Sequence, residues 1–287
     1  EQDKQPLVLI SGQKVNIIGL DGNLFDGNGA CYWDNGGSNG GKDKPKFFLI
    51  HLIDSQVQNL NVLNAPVHVF MISNSHGTTF SSLNVDNRAG AGLASNTDGV
   101  HVTESTDLVI KGCHIVNQDD CFAITSGKNV TFSDGSCDGG HGLSIGSIGE
   151  KPSNDVSDVT LTGITITNSM NGFRIKTIQG ATGSVSNIKV SDLTLQNIAM
   201  FGVVIRQDYR NSGGSTPKMS PSSGVTIENL VMSNVKGSVE PEAQPIFIYC
   251  GKGSCHNWLW SAINIEGGTS KKFECLNLPD SLSGVAC

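Results

Sequence analysis

"GVHVTE" (99–104), "CFAITS" (121–126), "GLSIGS" (142–147), "GFRIKT" (172–177) and "GVVIRQ" (202–207) are five versions of one short strand. Their first residues step by 22, 21, 30 and 30 along the chain. Apolar and other side chains alternate in each, the period of a strand rather than of a helix. Around them lie "DLVIKGCHI" (107–115), "NVTFSDGSC" (129–137), "DVTLTGITI" (158–166), "NIKVSDLTL" (187–195) and "GVTIENLVM" (224–232). Each of these is a strand, a polar break and a second strand. A unit of several short strands, repeated every 20–30 residues, buries little by itself and gains a core by stacking on its neighbours. The fold expected is therefore all-β, a parallel β-helix or β-solenoid.

The five strands can be aligned. Side chains alternate between faces, so Val100, Phe122, Leu143, Phe173 and Val203 point inward, as do Val102, Ile124, Ile145, Ile175 and Ile205. His101, Ala123, Ser144, Arg174 and Val204 point outward, with Thr103, Thr125, Gly146, Lys176 and Arg206 two places on. One place before each strand the alignment stacks Asp98, Asp120, His141, Asn171 and Phe201, followed in four coils by Gly99, Gly142, Gly172 and Gly202. "VNIIGLDGNLFDGNG" and "SQVQNLNVLNAPVHVFMIS" read as earlier coils, and no linker divides the chain. One domain over 1–287 is expected.

Composition agrees and excludes. The chain has 287 residues, 35 Gly, 6% aromatic and 16% charged residues. A net charge of −7 argues against nucleic acid and anionic membranes as partners. No run of 18 apolar residues is present, as a membrane-spanning helix would need. The 8 Cys are even in number and partly clustered, which favours disulfides and a secreted, extracellular protein. "CGKGSC" is too short for a zinc site. Asn129-Val130-Thr131 is the only N-glycosylation sequon and points the same way.

"NQDDC" (117–121) sets Asp119 beside Asp120, and the alignment brings Asp98 to the same corner from the next coil, about 4.8 Å away. Asp pairs before a strand are commonly turn residues, and clustered Asp can hold calcium. Their stacking in one column favours catalysis instead. Three close carboxylates cannot all ionise easily, so at least one pKa is expected to rise and supply a proton donor beside proton acceptors. Glycosidic hydrolysis needs that division. Arg174 and Lys176 face outward on the same sheet, as a subsite for an anionic sugar would require. Tyr209 follows on the next coil.

Together "NTDG" (96–99), "NQDDC" (117–121), "GGHGLSIGS" (139–147), "RIK" (174–176) and "QDY" (207–209), with "GATGSVS" (180–186) and "CGKGSC", resemble the polygalacturonases, most closely the endo-acting fungal type. The resemblance covers nearly the whole chain. It implies a right-handed, single-stranded parallel β-helix that hydrolyses α-1,4-linked galacturonan in pectin with inversion. Asp119 would be the general acid. Asp98 and Asp120 would activate water, and His141 would tune the acid or hold the sugar. Asn96, Arg174, Lys176 and Tyr209 would bind substrate. No metal and no cofactor are implied. The protein would act as a monomer, with plant polygalacturonase-inhibiting proteins as further partners. Cys121–Cys137, Cys250–Cys255 and Cys275–Cys287 would pair, leaving Cys31 and Cys113.

Two departures accompany the resemblance. Ser95 stands where fungal relatives commonly carry His. The chain also starts later than family members usually do, without the N-terminal coil and cap. The rivals are a related pectin hydrolase (exo-acting, or specific for rhamnogalacturonan or xylogalacturonan), a calcium-dependent pectate lyase, and a carbohydrate-binding β-solenoid without turnover.

Overall fold

A computed structural model describes residues 5–38, 40–149, 151–210, 219–269, 273–282 and 287. Two parallel sheets run the length of the molecule. The nine-stranded sheet takes one strand from each coil, in chain order: Val8–Gln13, Phe48–Ile53, Phe70–Ser73, Val100–Thr103, Asp120–Ile124, Gly142–Ile148, Asn171–Ile178, Phe201–Tyr209 and Gln244–Tyr249. The five repeated strands of the sequence are consecutive members. Strand n pairs with the next of the same sheet after a full turn of chain, which is the parallel β-helix. Among the described residues helix is limited to three short 3₁₀ turns.

The second sheet carries longer strands, and their polar breaks now have a cause. Gly127–Gly139, Asp155–Thr167, Gly183–Ile198 and Val225–Val239 each break at a mid-strand residue with positive φ: Asp134 at 55°, Gly163 at 68°, Asp192 at 56° and Asn234 at 51°. A single left-handed residue turns the chain, and Gly, Asn and Asp tolerate it best. At the preceding corner Asp107, Asn129, Asp158, Asn187 and Asn229 do the same, all at φ 55–56°. Their side chains form ladders from coil to coil. Asn129 Nδ2 donates to Asp107 Oδ1 at 2.6 Å, Asn187 Nδ2 to Asp158 Oδ1 at 3.0 Å, and Asn229 Nδ2 to Asn187 Oδ1 at 2.9 Å. The high Asn content is thus a corner requirement.

The apolar columns fill the interior as aligned. Phe122 pairs with Val100 and Leu143, Leu143 with Phe173, and Phe173 with Val203. All ten inward positions are buried. Ring stacks reinforce the columns, with Phe48 on Phe70 at 5.3 Å and Phe122 on Phe132 at 4.8 Å. Each such pair adds about 0.5–1.5 kcal/mol beyond its buried area.

Three disulfides form: Cys121–Cys137, Cys250–Cys255 and Cys275–Cys287. Cys31 is a free, exposed thiol and Cys113 a free, buried one. Burial pushes the Cys113 thiol up to about 11, so it is inert packing.

Candidate active site

The outward face of the nine-stranded sheet gathers the acidic corner, and one bulge decides its arrangement. Phe122 pairs with Leu143, yet Asp120 pairs with Gly142, so the register shifts between Asp120 and Phe122. Cys121 is the extra residue, and its sulfur turns inward to Cys137. The simple alignment set His141 against Asp120. The bulge sets it against Asp119 instead: the His141 amide donates to the Asp119 carbonyl at 2.8 Å, and Nδ1 lies 2.9 Å from Asp119 Oδ1. A bulge re-aiming a side chain at a site is a recurrent device.

Asp119 is held on three sides. Besides His141, it accepts from its neighbour's amide (Asp120 N, 2.8 Å) and from Asn96 Nδ2 at 3.3 Å. Asn96 sits in the left-handed region at φ 54°. Its own oxygen accepts from the Ser38 amide at 3.0 Å, which fixes it.

Asp120 is buried, with 2% exposure, and fully engaged. Ser144 Oγ donates to Oδ1 at 2.6 Å, Lys176 Nζ to Oδ2 at 3.0 Å, and Arg174 Nη2 pairs with Oδ1. Arg174 Nε reaches Ser144 Oγ at 2.6 Å. Lys176 Nζ also lies 5.3 Å from the centre of the Tyr209 ring, a cation–π contact. Gly146 makes this possible. Its φ is 113°, and a Cβ there would come 2.2 Å from the Lys176 carbonyl oxygen. Arg174 and Lys176 are therefore partners of Asp120 first, not an isolated cationic patch.

This corrects the expected electrostatics. Burial would raise the Asp120 carboxyl, but Arg174 and Lys176 outweigh it and hold its pKa well below the ordinary carboxylate range. Burial likewise opposes ionisation of Asp119, yet His141 prevails and lowers it. His141 moves the other way: burial disfavours its cation, and the Asp119 charge and hydrogen bond more than compensate, raising its pKa. Asp119 and Asp120 are thus both lowered rather than raised. In the His141–Asp119 pair both shifts favour the imidazolium beside the carboxylate, so the pair's proton rests on His141.

Asp98 lies on the other flank. Its Oδ2 is 3.0 Å from His101 Nδ1, and its Oδ1 is 3.8 Å from His68 Nε2. Burial lowers the His68 pKa, and nearby Lys46 and His101 push it the same way against Asp98. Sequence reasoning gave neither histidine a role. His68 could have been found by extending the column one coil back, since Phe70 pairs with Val100 and so sets His68 opposite Asp98. His101 was already among the outward residues.

The structure thus brings Asn96, Asp98, Asp119, Asp120, His141, Arg174, Lys176 and Tyr209 to one face. It adds Ser38, His68, His101 and Ser144. Asn129 is exposed at a corner of the other sheet.

Comparison with known proteins gives the setting. The Glycosyl hydrolases family 28 profile matches residues 1–287. An endo-polygalacturonase of Sclerotinia sclerotiorum is 48% identical over 100% of this chain and 73% of its own. Endopolygalacturonase B of Aspergillus niger is 45% identical over 99% of this chain and 76% of its own. Among solved structures, endopolygalacturonase I from Stereum purpureum, complexed with two galacturonates, superposes with a TM-score of 0.74 at 30% identity, over 92% of this chain and 84% of that one. An endo-xylogalacturonan hydrolase from Aspergillus tubingensis gives 0.75 at 26% identity, over 95% and 78%. A profile matched from end to end, together with relatives of nearly half identity, establishes that the chain belongs to glycosyl hydrolases family 28.

Proposed function

We propose that this chain hydrolyses internal α-1,4-galacturonosyl linkages of polygalacturonan with inversion of configuration. The single observation that carries the mechanism is the different surroundings of the three carboxylates: His141 at Asp119, Arg174 and Lys176 at Asp120, and His68 and His101 at Asp98. The chain is a glycoside hydrolase by family. Its relatives named endopolygalacturonase, at 44–48% identity, support the endo mode and the substrate.

Asp119 is the general acid. It is the carboxyl joined to a protonatable imidazole, so the His141–Asp119 pair carries the proton that the leaving oxygen needs. Asp120 stays ionised because its two cations hold it so. Asp98 and Asp120 hold the water that attacks the anomeric carbon from the opposite face. Arg174 and Lys176 serve twice. A guanidinium has five N–H groups and an ammonium three, so donors beyond those spent on Asp120 and Ser144 grip the substrate carboxylate. Asn96 orients Asp119 and the sugar, and Tyr209 packs beside the Lys176 side of the cleft. No cofactor takes part.

Polygalacturonate is the partner, and the protein acts as a single-domain monomer. Secretion fits the three disulfides, and Asn129, exposed in its sequon, is the glycan acceptor. Plant polygalacturonase-inhibiting proteins are its further partners in this reading.

Reducing-end release from polygalacturonate, with chromatography of early products, tests the reading. Mixed oligomers of several lengths are expected, without ultraviolet absorbance from unsaturated ends. Monomer release alone would mean an exo enzyme. Turnover confined to xylose-substituted galacturonan would move the substrate to that of the Aspergillus tubingensis neighbour.

A further inference from the structure

We propose that His68, Asp98 and His101 form a site for a borderline divalent metal ion, with Zn²⁺ as the probe, and that an ion bound there withdraws Asp98 from water and stops hydrolysis. Two imidazoles and one carboxylate are a zinc donor set. Calcium, which takes six to eight oxygens, does not suit it. One ligand atom from each residue lies within 4.8 Å of the others. A tetrahedral ion with bonds of about 2.0–2.2 Å sets its ligands roughly 3.3–3.6 Å apart. The contacts of Asp98, Oδ2 to His101 Nδ1 at 3.0 Å and Oδ1 to His68 Nε2 at 3.8 Å, lie on either side of that span, one on each carboxylate oxygen. Small side-chain rotations would close it.

Those rotations are open to His68. Its Nδ1 is buried without a hydrogen-bond partner, and 3.8 Å to Asp98 is beyond a hydrogen bond. The ring can turn without breaking one. The three side chains are 15%, 7% and 14% exposed, so each keeps some contact with solvent. A fourth ligand, water or a sugar hydroxyl, can enter from there. Among the described residues a second three-residue cluster, Asp119, Asp120 and His141, also falls within 4.8 Å. There, however, Arg174 and Lys176 already supply the positive charge. An added cation is directed to the Asp98 side.

Binding is independent of the function proposed above, whereas inhibition rests on the place given to Asp98 in it. Calorimetric titration of the whole chain with zinc sulfate at pH 7, in a non-chelating buffer, should show one saturable site. His68→Gln and His101→Gln should each weaken it at least about tenfold, the lower scale for losing a group that supports a metal. His141→Gln should bind zinc as the wild type does. Zinc X-ray absorption of the loaded wild-type protein needs no variant and should show two imidazole ligands. Rates should be read on a short oligogalacturonide at buffered free zinc, because polyuronates bind divalent cations themselves. Inhibition should saturate over the same zinc range as the calorimetry and reverse with EDTA. No saturable site, fewer than two imidazoles, or unchanged affinity in both histidine variants would overturn the site. Zinc bound with hydrolysis undiminished would overturn the blockade and count against Asp98 as a holder of water.

Discussion

Asp98 and Asp120 occupy equivalent places on adjacent coils, and their surroundings are opposite. Asp120 faces Arg174, Lys176 and Ser144, two fixed cations and a hydroxyl. Asp98 faces His68 and His101, which can be neutral. A repeated backbone thus presents the same residue type twice, and the outward side chains of the flanking coils make the two different. One carboxylate is locked in its charged state. The other lies among groups that give or take protons. Asp119 stands beside them with its own imidazole.

The comparison is broken most severely by removing any of the three charges. Asp98→Asn, Asp119→Asn and Asp120→Asn should each lower kcat by at least about 10²-fold, the lower scale of acid–base contributions. Stability should separate them. Asp120→Asn leaves two buried cations without their anion and should cost about 3–5 kcal/mol in urea titration. Asp98→Asn should cost about 1 kcal/mol, the scale of one hydrogen bond. Equal stability losses would erase the distinction.

Next comes His141. Its pKa is raised, so the ion pair with Asp119 persists below the unfolded imidazole value near 6.5 and is lost as pH rises through the higher folded value. Asp119 and Asp120 are lowered, so their contributions hold above the unfolded carboxylate value and vanish only as pH falls through the lower folded values. Activity should therefore fall on the alkaline side with the His141 titration. His141→Gln should remove that limb and cost about 10–100-fold in kcat/KM, the worth of a charged hydrogen bond. An unchanged alkaline limb would exclude the pair as the proton store.

A smaller effect belongs to the shared cations. Lys176→Met should raise KM on polygalacturonate about tenfold. Added salt should weaken wild-type binding, because part of it is Coulombic. Wild-type KM in the variant would leave the lysine to Asp120 alone. Smallest is Tyr209→Leu, where losing the cation–π contact should cost about two- to fivefold in kcat/KM.

Most of this frame was legible because strand alternation is strict. The inward columns, their register and the motif residues could be aligned without coordinates. The bulge at Cys121 could not. An extra residue leaves no mark in an alternating pattern, and it moved His141 from Asp120 to Asp119. The direction of the pKa shifts was also hidden. Counting carboxylates predicts a raised pKa, but the sign follows from which cations turn toward which oxygen, a matter of side-chain rotamers. His68 escaped for a simpler reason: its coil, "APVHVF", lacks the leading glycine that marks four of the five aligned strands.

Stereochemistry tests the division of labour most directly. Water held by Asp98 and Asp120 opposite the leaving oxygen must invert the anomeric centre. Proton NMR of the first reducing ends released from α-linked polygalacturonate, before mutarotation, should show the β anomer. An initial α anomer would mean retention and would contradict the account.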